Sequence, residues 1–203
     1  MNLGWGNVAY LCSAALAGYF VDFRIFVAMT SWVHYCKYIY QYYWRTARDK
    51  ESYAAWKRDV LLFKTVALCN LGYIYLKPYV LNGFSGFPDI ISLAMIAVGY
   101  YISIAATQAL GIDGTYFGIE LGHVKAEYTF VKDFPYNVIP HPMILGQVFA
   151  LLGLFKPAHV HQDWPWVIPV HIALYLTHMT QEIYDFHNGV PWYEAVKKAE
   201  KKE

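Results

Sequence analysis

The sequence predicts an all-α protein, a polytopic integral membrane bundle of four or five spans. Three observations predict it. The first is composition: the 203 residues are 57% hydrophobic and 19% aromatic, but only 15% charged, against roughly 25% charged in an ordinary soluble domain. The second is a set of long apolar runs without the alternation of half-buried strands. The third is a lopsided distribution of Lys and Arg between the segments joining those runs. A net charge of +1 leaves no broad positive field to hold a polyanion, so no nucleic-acid partner is expected. Mean hydropathy is a modest +0.25 because 19 of the apolar-class residues are Tyr, which hydropathy scales penalise.

The elements follow in chain order. Residues 8–21 are apolar and read as an interfacial segment or a further helix. Asp22 and Arg24 then interrupt, which argues against a simple signal peptide. Residues 25–44 read as one membrane helix with Lys37 inside it. Tyr35, Tyr38, Tyr40, Tyr42, Tyr43 and Trp44 fall where an aromatic belt would lie. Residues 60–77 carry Lys64 inside and Lys77 at the edge. Residues 90–110 carry none and meet the length of about 20 residues that a bilayer core demands. Residues 142–155 and 166–184 complete the set. With these spans, segments 45–59, 111–141 and 185–203 share one side and hold eleven of the 16 Lys and Arg. The opposite segments, 78–89 and 156–165, hold only Lys156 at an edge. The positive-inside rule therefore places the first three on the cytosolic or matrix-equivalent side. One domain, 1–203, is the simplest count, with residues 1–59 as an N-terminal extension that includes the first span. Cys12, Cys36 and Cys69 lie in apolar stretches and read as small buried hydrophobes, neither a disulfide framework nor a zinc site.

The chemistry-bearing stretch is residues 111–146. Gly114, Gly118 and Gly122 recur every four residues, which on a helix would make a smooth face for close helix packing. Bare glycine backbone also lets a bulky ligand approach. The series is no phosphate-binding loop, since no GK[ST] follows, and no dinucleotide fingerprint, since no strand precedes it. Phe134-Pro135-Tyr136-Asn137 reads as a turn. In Pro140-His141-Pro142, Pro142 suits the first turn of the next helix and sets His141 at its entrance. His159, His161 and Asp163 crowd one loop, and His171, His178 and Glu182 share helical spacing. Neither set has the spacing of an established metal site or enough acids from other helices, so no metal is expected and a metal-dependent oxidoreductase is a distant outsider. His178 and Glu182, four apart, read as a polar helix contact.

GTYFGIELG (114–122), FPYNVIPHPMILG (134–146) and TQEIYD (180–185) resemble the phospholipid N-methyltransferases, and more distantly the isoprenylcysteine carboxyl methyltransferases. The resemblance covers about residues 90–185. It implies a membrane helix bundle that binds S-adenosylmethionine near one surface and methylates the amine of phosphatidylethanolamine or its methylated forms. By that resemblance Gly111, Gly114, Gly118, His141 and Pro142 line the cofactor pocket, with His141 and Glu182 as candidate catalytic groups. Two departures stand out. The family's acidic pair in the last helix falls on Leu176 and Thr177, and Ile144 replaces a favoured aromatic. A buried cationic cofactor needs compensating carboxylates, and removing one such partner costs ~2–5 kcal/mol. The nearby acids are Asp113, Glu120, Glu182 and Asp185. The alternative is therefore an inactive relative, a structural or lipid-binding subunit of a larger membrane complex. Residue patterns leave the compartment open between the endoplasmic reticulum and the mitochondrial inner membrane; the Lys-rich tail reads as a solvated helix end.

Overall fold

The computed structural model describes residues 4–83, 88–124, 131–186, 189–191 and 194. Lys125 and the Lys-rich tail fall outside them. The chain forms two compact units, residues 1–83 and 84–203.

The first unit contains α1 (Trp5–Phe20), α2 (Phe23–Ser31), α3 (Val33–Trp44) and α4 (Lys50–Leu81). Asp22 starts α2 by accepting the Arg24 amide at 2.7 Å, an N-cap role that suits a short acidic side chain. The single helix expected over residues 25–44 is instead broken at Trp32. The cause is a buried polar knot. Thr30 Oγ1 donates back to the Phe26 carbonyl at 2.7 Å, a bond that bends helices. Asn70 of α4 donates to the hydroxyls of both Thr30 and Ser31 at 2.9 Å. Those two residues are fully buried, so fixing their hydroxyls against α4 outweighs helix continuity.

The α4 helix begins earlier than the apolar pattern suggests. Asp49 caps it by accepting the Ser52 amide at 2.8 Å, and the segment read as a basic loop is mostly its first turns. At 32 residues it is about 48 Å long, longer than a hydrocarbon core of about 30 Å. The charged stretch 50–59 is the part that must project from it. There Asp59 accepts from Asn7 of α1 at 2.7 Å, Lys37 of α3 at 3.0 Å and Arg58 at 2.7 Å, tying three helices together. The aromatic belt also divides. Tyr35 and Tyr42 are 3% and 4% exposed and belong to the packing, whereas Trp44, at 63%, faces outward. The cysteines are exposed, contrary to their reading as buried residues. They stand on outward faces of apolar helices, where a bilayer tolerates a thiol as well as a core does.

The second unit contains α5 (Ile90–Leu110), α6 (Ile112–Thr115), α7 (Pro142–Phe155), α8 (Ala158–Asp163) and α9 (Val167–Ile183), followed by a small hairpin, β1 (Tyr184–Asp185) with β2 (Val190–Pro191). The α5 and α7 helices run antiparallel along a seam of small residues. Ser103 Oγ donates to the Met143 carbonyl at 2.8 Å near one end, and Ser92 Oγ to the Gly153 carbonyl at 2.7 Å near the other. A side chain on Gly146 would come within 2.7 Å of both the Gly99 carbonyl oxygen and Ser103 Oγ. Such close backbone approach is how membrane helices associate where no hydrophobic effect separates them from lipid. Lys156 and Asp89 form an ion pair across the far end. The α9 helix packs on α7.

Among the described residues two helices, α4 and α5, are long and apolar enough to cross a membrane, and α7 is a shorter apolar helix. At 14 and 17 residues, α7 and α9 are about 21 and 26 Å long.

Candidate functional site

One end of the second unit gathers the end of α5, the start of α7 and the end of α9. The α5 helix stops at Gly111, whose φ of 79° is costly for any residue with a Cβ. A tight turn follows. The glycine series 114, 118 and 122 does not form a helix face, since α6 ends at Thr115. Gly118 instead lies against the backbone of Asp113, donating to its carbonyl at 2.7 Å, and a Cβ there would sit 2.7 Å from the same oxygen. Gly122 has φ 81°. The regular spacing therefore reflects successive turn requirements. Gly114 packs beside the Leu110 side chain.

The turn before α7 closes through Tyr136 N–H to Asp133 O at 2.8 Å and Ile139 N–H to Pro135 O at 2.9 Å. The Phe134–Pro135 peptide is cis. His141 then caps α7 in the left-handed region, φ 46° and ψ 50°, with buried Pro142 as the first helical residue. A non-glycine residue held there is strained by roughly 1–3 kcal/mol, and the ring of the following proline disfavours the ordinary helical conformation for His141. The backbone is thus fixed in a form that aims the imidazole at α9. His141 Nδ1 lies 2.8 Å from Glu182 Oε2. The two side chains are 29% and 45% exposed, so the pair is reachable from solvent.

This contact joins residues 41 apart in sequence. It also reassigns Glu182. His178, expected to meet Glu182, has its Nδ1 3.0 Å from Gln181 Oε1. The bond to Glu182 holds the His141 imidazole above its ordinary pKa, and partial burial works against this. Tyr136 is a residue that spacing did not single out. Its hydroxyl is pushed up to about 12, first by burial and then by the negative charge of Glu182. It therefore stays a protonated donor beside the pair at any physiological pH.

The expected site residues are only partly brought together. His141, Pro142 and Glu182 converge. Gly111, Gly114 and Gly118 occupy the adjoining turn at the end of α5, and among the described residues no hydrogen bond joins them to the pair. On α9, Leu176 is 42% exposed, and Thr177 Oγ1 donates to the Ala173 carbonyl at 3.0 Å. No group of three or more His, Cys, Asp or Glu side chains suited to a metal ion occurs among the described residues.

A raised imidazole pKa has a definite pH signature. The His141–Glu182 ion pair contributes its stability in full below about pH 6.5, the unfolded value. That contribution is lost as pH rises through the higher folded value. Both groups are partly exposed, so the loss is expected to stay under about 1 kcal/mol. Following the His141 ring protons by NMR against pH checks it: a midpoint below about 6.5 would contradict the pairing.

One helix of bilayer length, α5, and a solvent-reachable titratable pair in the same unit define a membrane-type helical unit with a polar end. The phospholipid methyltransferase family model matches residues 88–184, just under half of the chain. That segment is phospholipid methyltransferase-like, as its motifs imply. A phosphatidyl-N-methylethanolamine N-methyltransferase from Arabidopsis thaliana is 30% identical over 66 residues, covering 32% of this chain and 38% of that protein. The alignment thus spans less than two-fifths of that relative. No solved structure matches the chain. The family match and the two span-length helices together mark an integral membrane protein.

Proposed function

We propose that this protein transfers a methyl group from S-adenosylmethionine to the amine of phosphatidylethanolamine or of its methylated forms. The observation that carries this reading is the 2.8 Å contact between His141 and Glu182. It sets a proton acceptor beside a carboxylate at the polar end of the unit that resembles the phospholipid methyltransferases. The donor chemistry fits the cofactor, though with one carboxylate where two are expected. Glu182 supplies a negative charge toward a cation, and Gly111 presents backbone whose Cβ direction opens on no atom within 4 Å. Bound there, S-adenosylmethionine supplies an electrophilic methyl on a sulfonium.

The chain's own residues handle the proton. A lipid ammonium must lose one proton for its nitrogen lone pair to attack, and each transfer releases one proton net. Neutral His141, backed by Glu182, accepts it and passes it to solvent, to which both side chains are partly exposed. Because Glu182 raises the imidazole pKa, the acceptor is a stronger base, but it is free only above that pKa. The rate is therefore expected to rise with pH through a value above about 6.5.

The test is S-adenosylmethionine binding to the purified protein in lipid nanodiscs. Saturable binding is expected, and Gly114→Leu is expected to abolish it, since a Cβ there would already come within 2.8 Å of the Leu110 side chain. Unchanged affinity in that variant would show that Gly114 serves only packing. Absence of binding at millimolar cofactor would overturn the enzymatic reading. It would favour the second reading, an inactive structural or lipid-binding subunit, which Leu176 and Thr177 at the expected acidic positions support.

A further inference from the structure

The seam against α7 uses Ser92, Gly99, Ser103 and Ala106 of α5. At 100° per residue, Tyr101, Ile104, Ala105, Gln108 and Ala109 lie on the opposite face. There they line a cleft of about 450 Å³, closed on one side by Asp133 and Phe134 from the segment before α7. The Tyr101 and Phe134 ring centroids are 6.3 Å apart. The α5 floor is mostly apolar, Gln108 stands toward its Gly111 end, and Asp133 is the one charged residue of the lining. Neither the Asp133 carboxylate nor the Gln108 amide has a hydrogen-bond partner among the described residues. The cleft contains neither His141 nor Glu182.

Its dimensions suit a lipid of one leaflet. The 21 residues of α5 span about 31 Å, the thickness of a hydrocarbon core. Tyr101 lies near the middle of that length and Ala109 near its end, about 12 Å further along the axis. The cleft therefore runs from the bilayer midplane toward the interface, and Asp133 adds a carboxylate to its lining. A bulk acyl chain has no use for that carboxylate, whereas an ammonium headgroup does.

We propose that this cleft seats one acyl chain of an aminophospholipid, with the headgroup ammonium held at Asp133 and Gln108. The choice of an aminophospholipid rests on the methyltransferase reading. The lipid seat itself rests on the cleft's position and on its unpaired polar end.

The test uses the full chain in phosphatidylcholine nanodiscs doped with phosphatidylethanolamine carrying a photoactivatable diazirine on one acyl chain. After illumination, labelled residues are mapped by peptide mass spectrometry. Label is expected to concentrate at Tyr101, Ile104, Ala105 and Phe134, above Leu93 and Val98, which are also exposed on α5 but nearer its other end. A phosphatidylglycerol probe with the same chain should label the cleft about fivefold less, the worth of one exposed ion pair. Asp133→Asn should erase that preference, and Ala105→Trp should block labelling by filling the cleft. Even labelling along α5, or equal labelling by the two lipids in the unaltered protein, overturns the proposal without relying on any variant. Cofactor binding measured on the same nanodiscs separates the two ideas. Cleft labelling without cofactor binding keeps the lipid seat and sinks the methyltransferase reading; cofactor binding with even labelling does the reverse.

Discussion

Glu182→Gln is expected to lower kcat for phosphatidylethanolamine methylation by about 10²- to 10⁴-fold, the usual worth of a positioned acid–base group. The substitution keeps the side chain's size and its ability to accept a hydrogen bond from His141, but removes the charge that raises the imidazole pKa. The fold is expected to survive, because both side chains are partly exposed and an exposed pair adds little stability. The pH–rate inflection should move down toward the ordinary imidazole value. His141→Ala should lose a similar factor, and the double variant should lose little more than either alone, since residues acting as one unit are not additive. Losses below about tenfold in both single variants, or full additivity in the double, would remove the pair from the chemistry. A rise in KM for S-adenosylmethionine with kcat intact would reassign Glu182 to cofactor binding alone.

Gly99→Leu is expected to prevent the second unit from assembling. A Cβ at this position would run into the Gly146 carbonyl oxygen and lie 2.5 Å from the Ala150 amide nitrogen. Both are backbone atoms, which cannot rotate away as a side chain can. Overpacking usually costs about 1–3 kcal/mol where side chains can adjust; here the two helices must separate. Separation also strands the bonds from Ser103 to Met143 and from Ser92 to Gly153. The measurement is resistance to denaturing detergent, read by circular dichroism and by size-exclusion profile. Leu152→Ala makes a fair control, since Leu152 is exposed on α7. A Gly99→Leu protein as resistant as the parent would mean that the seam is not tightly packed.

Much of the second unit was legible in the sequence. The apolar runs 90–110 and 142–155 coincide with α5 and α7, because each is bounded by a residue with a local reason to stop or start a helix. Gly111 stops α5 by its positive φ, and Pro142 opens α7 with a preset φ. The motifs that resemble the phospholipid methyltransferases lie in the segment that the family model matches. The first unit was harder to read. The break at Trp32 depends on Asn70, 39 and 40 residues away from the two hydroxyls it holds, and no window of local hydropathy contains that information. The early start of α4 depends on the Asp49 cap, which is visible in the sequence but was masked by the basic residues after it.

The sequence by itself therefore determined the helical class, the membrane setting, the bounds of two helices to the residue, and the two polar motifs, His141 and Glu182. These follow from local periodicity and from chain-terminating chemistry. Only the tertiary structure decided that the two motifs meet at 2.8 Å, that the glycines serve turns rather than a helix face, and that Asp133 closes an apolar cleft on α5. Each of these depends on which helix faces pack together, and packing brings side chains into contact across separations that local periodicity does not encode.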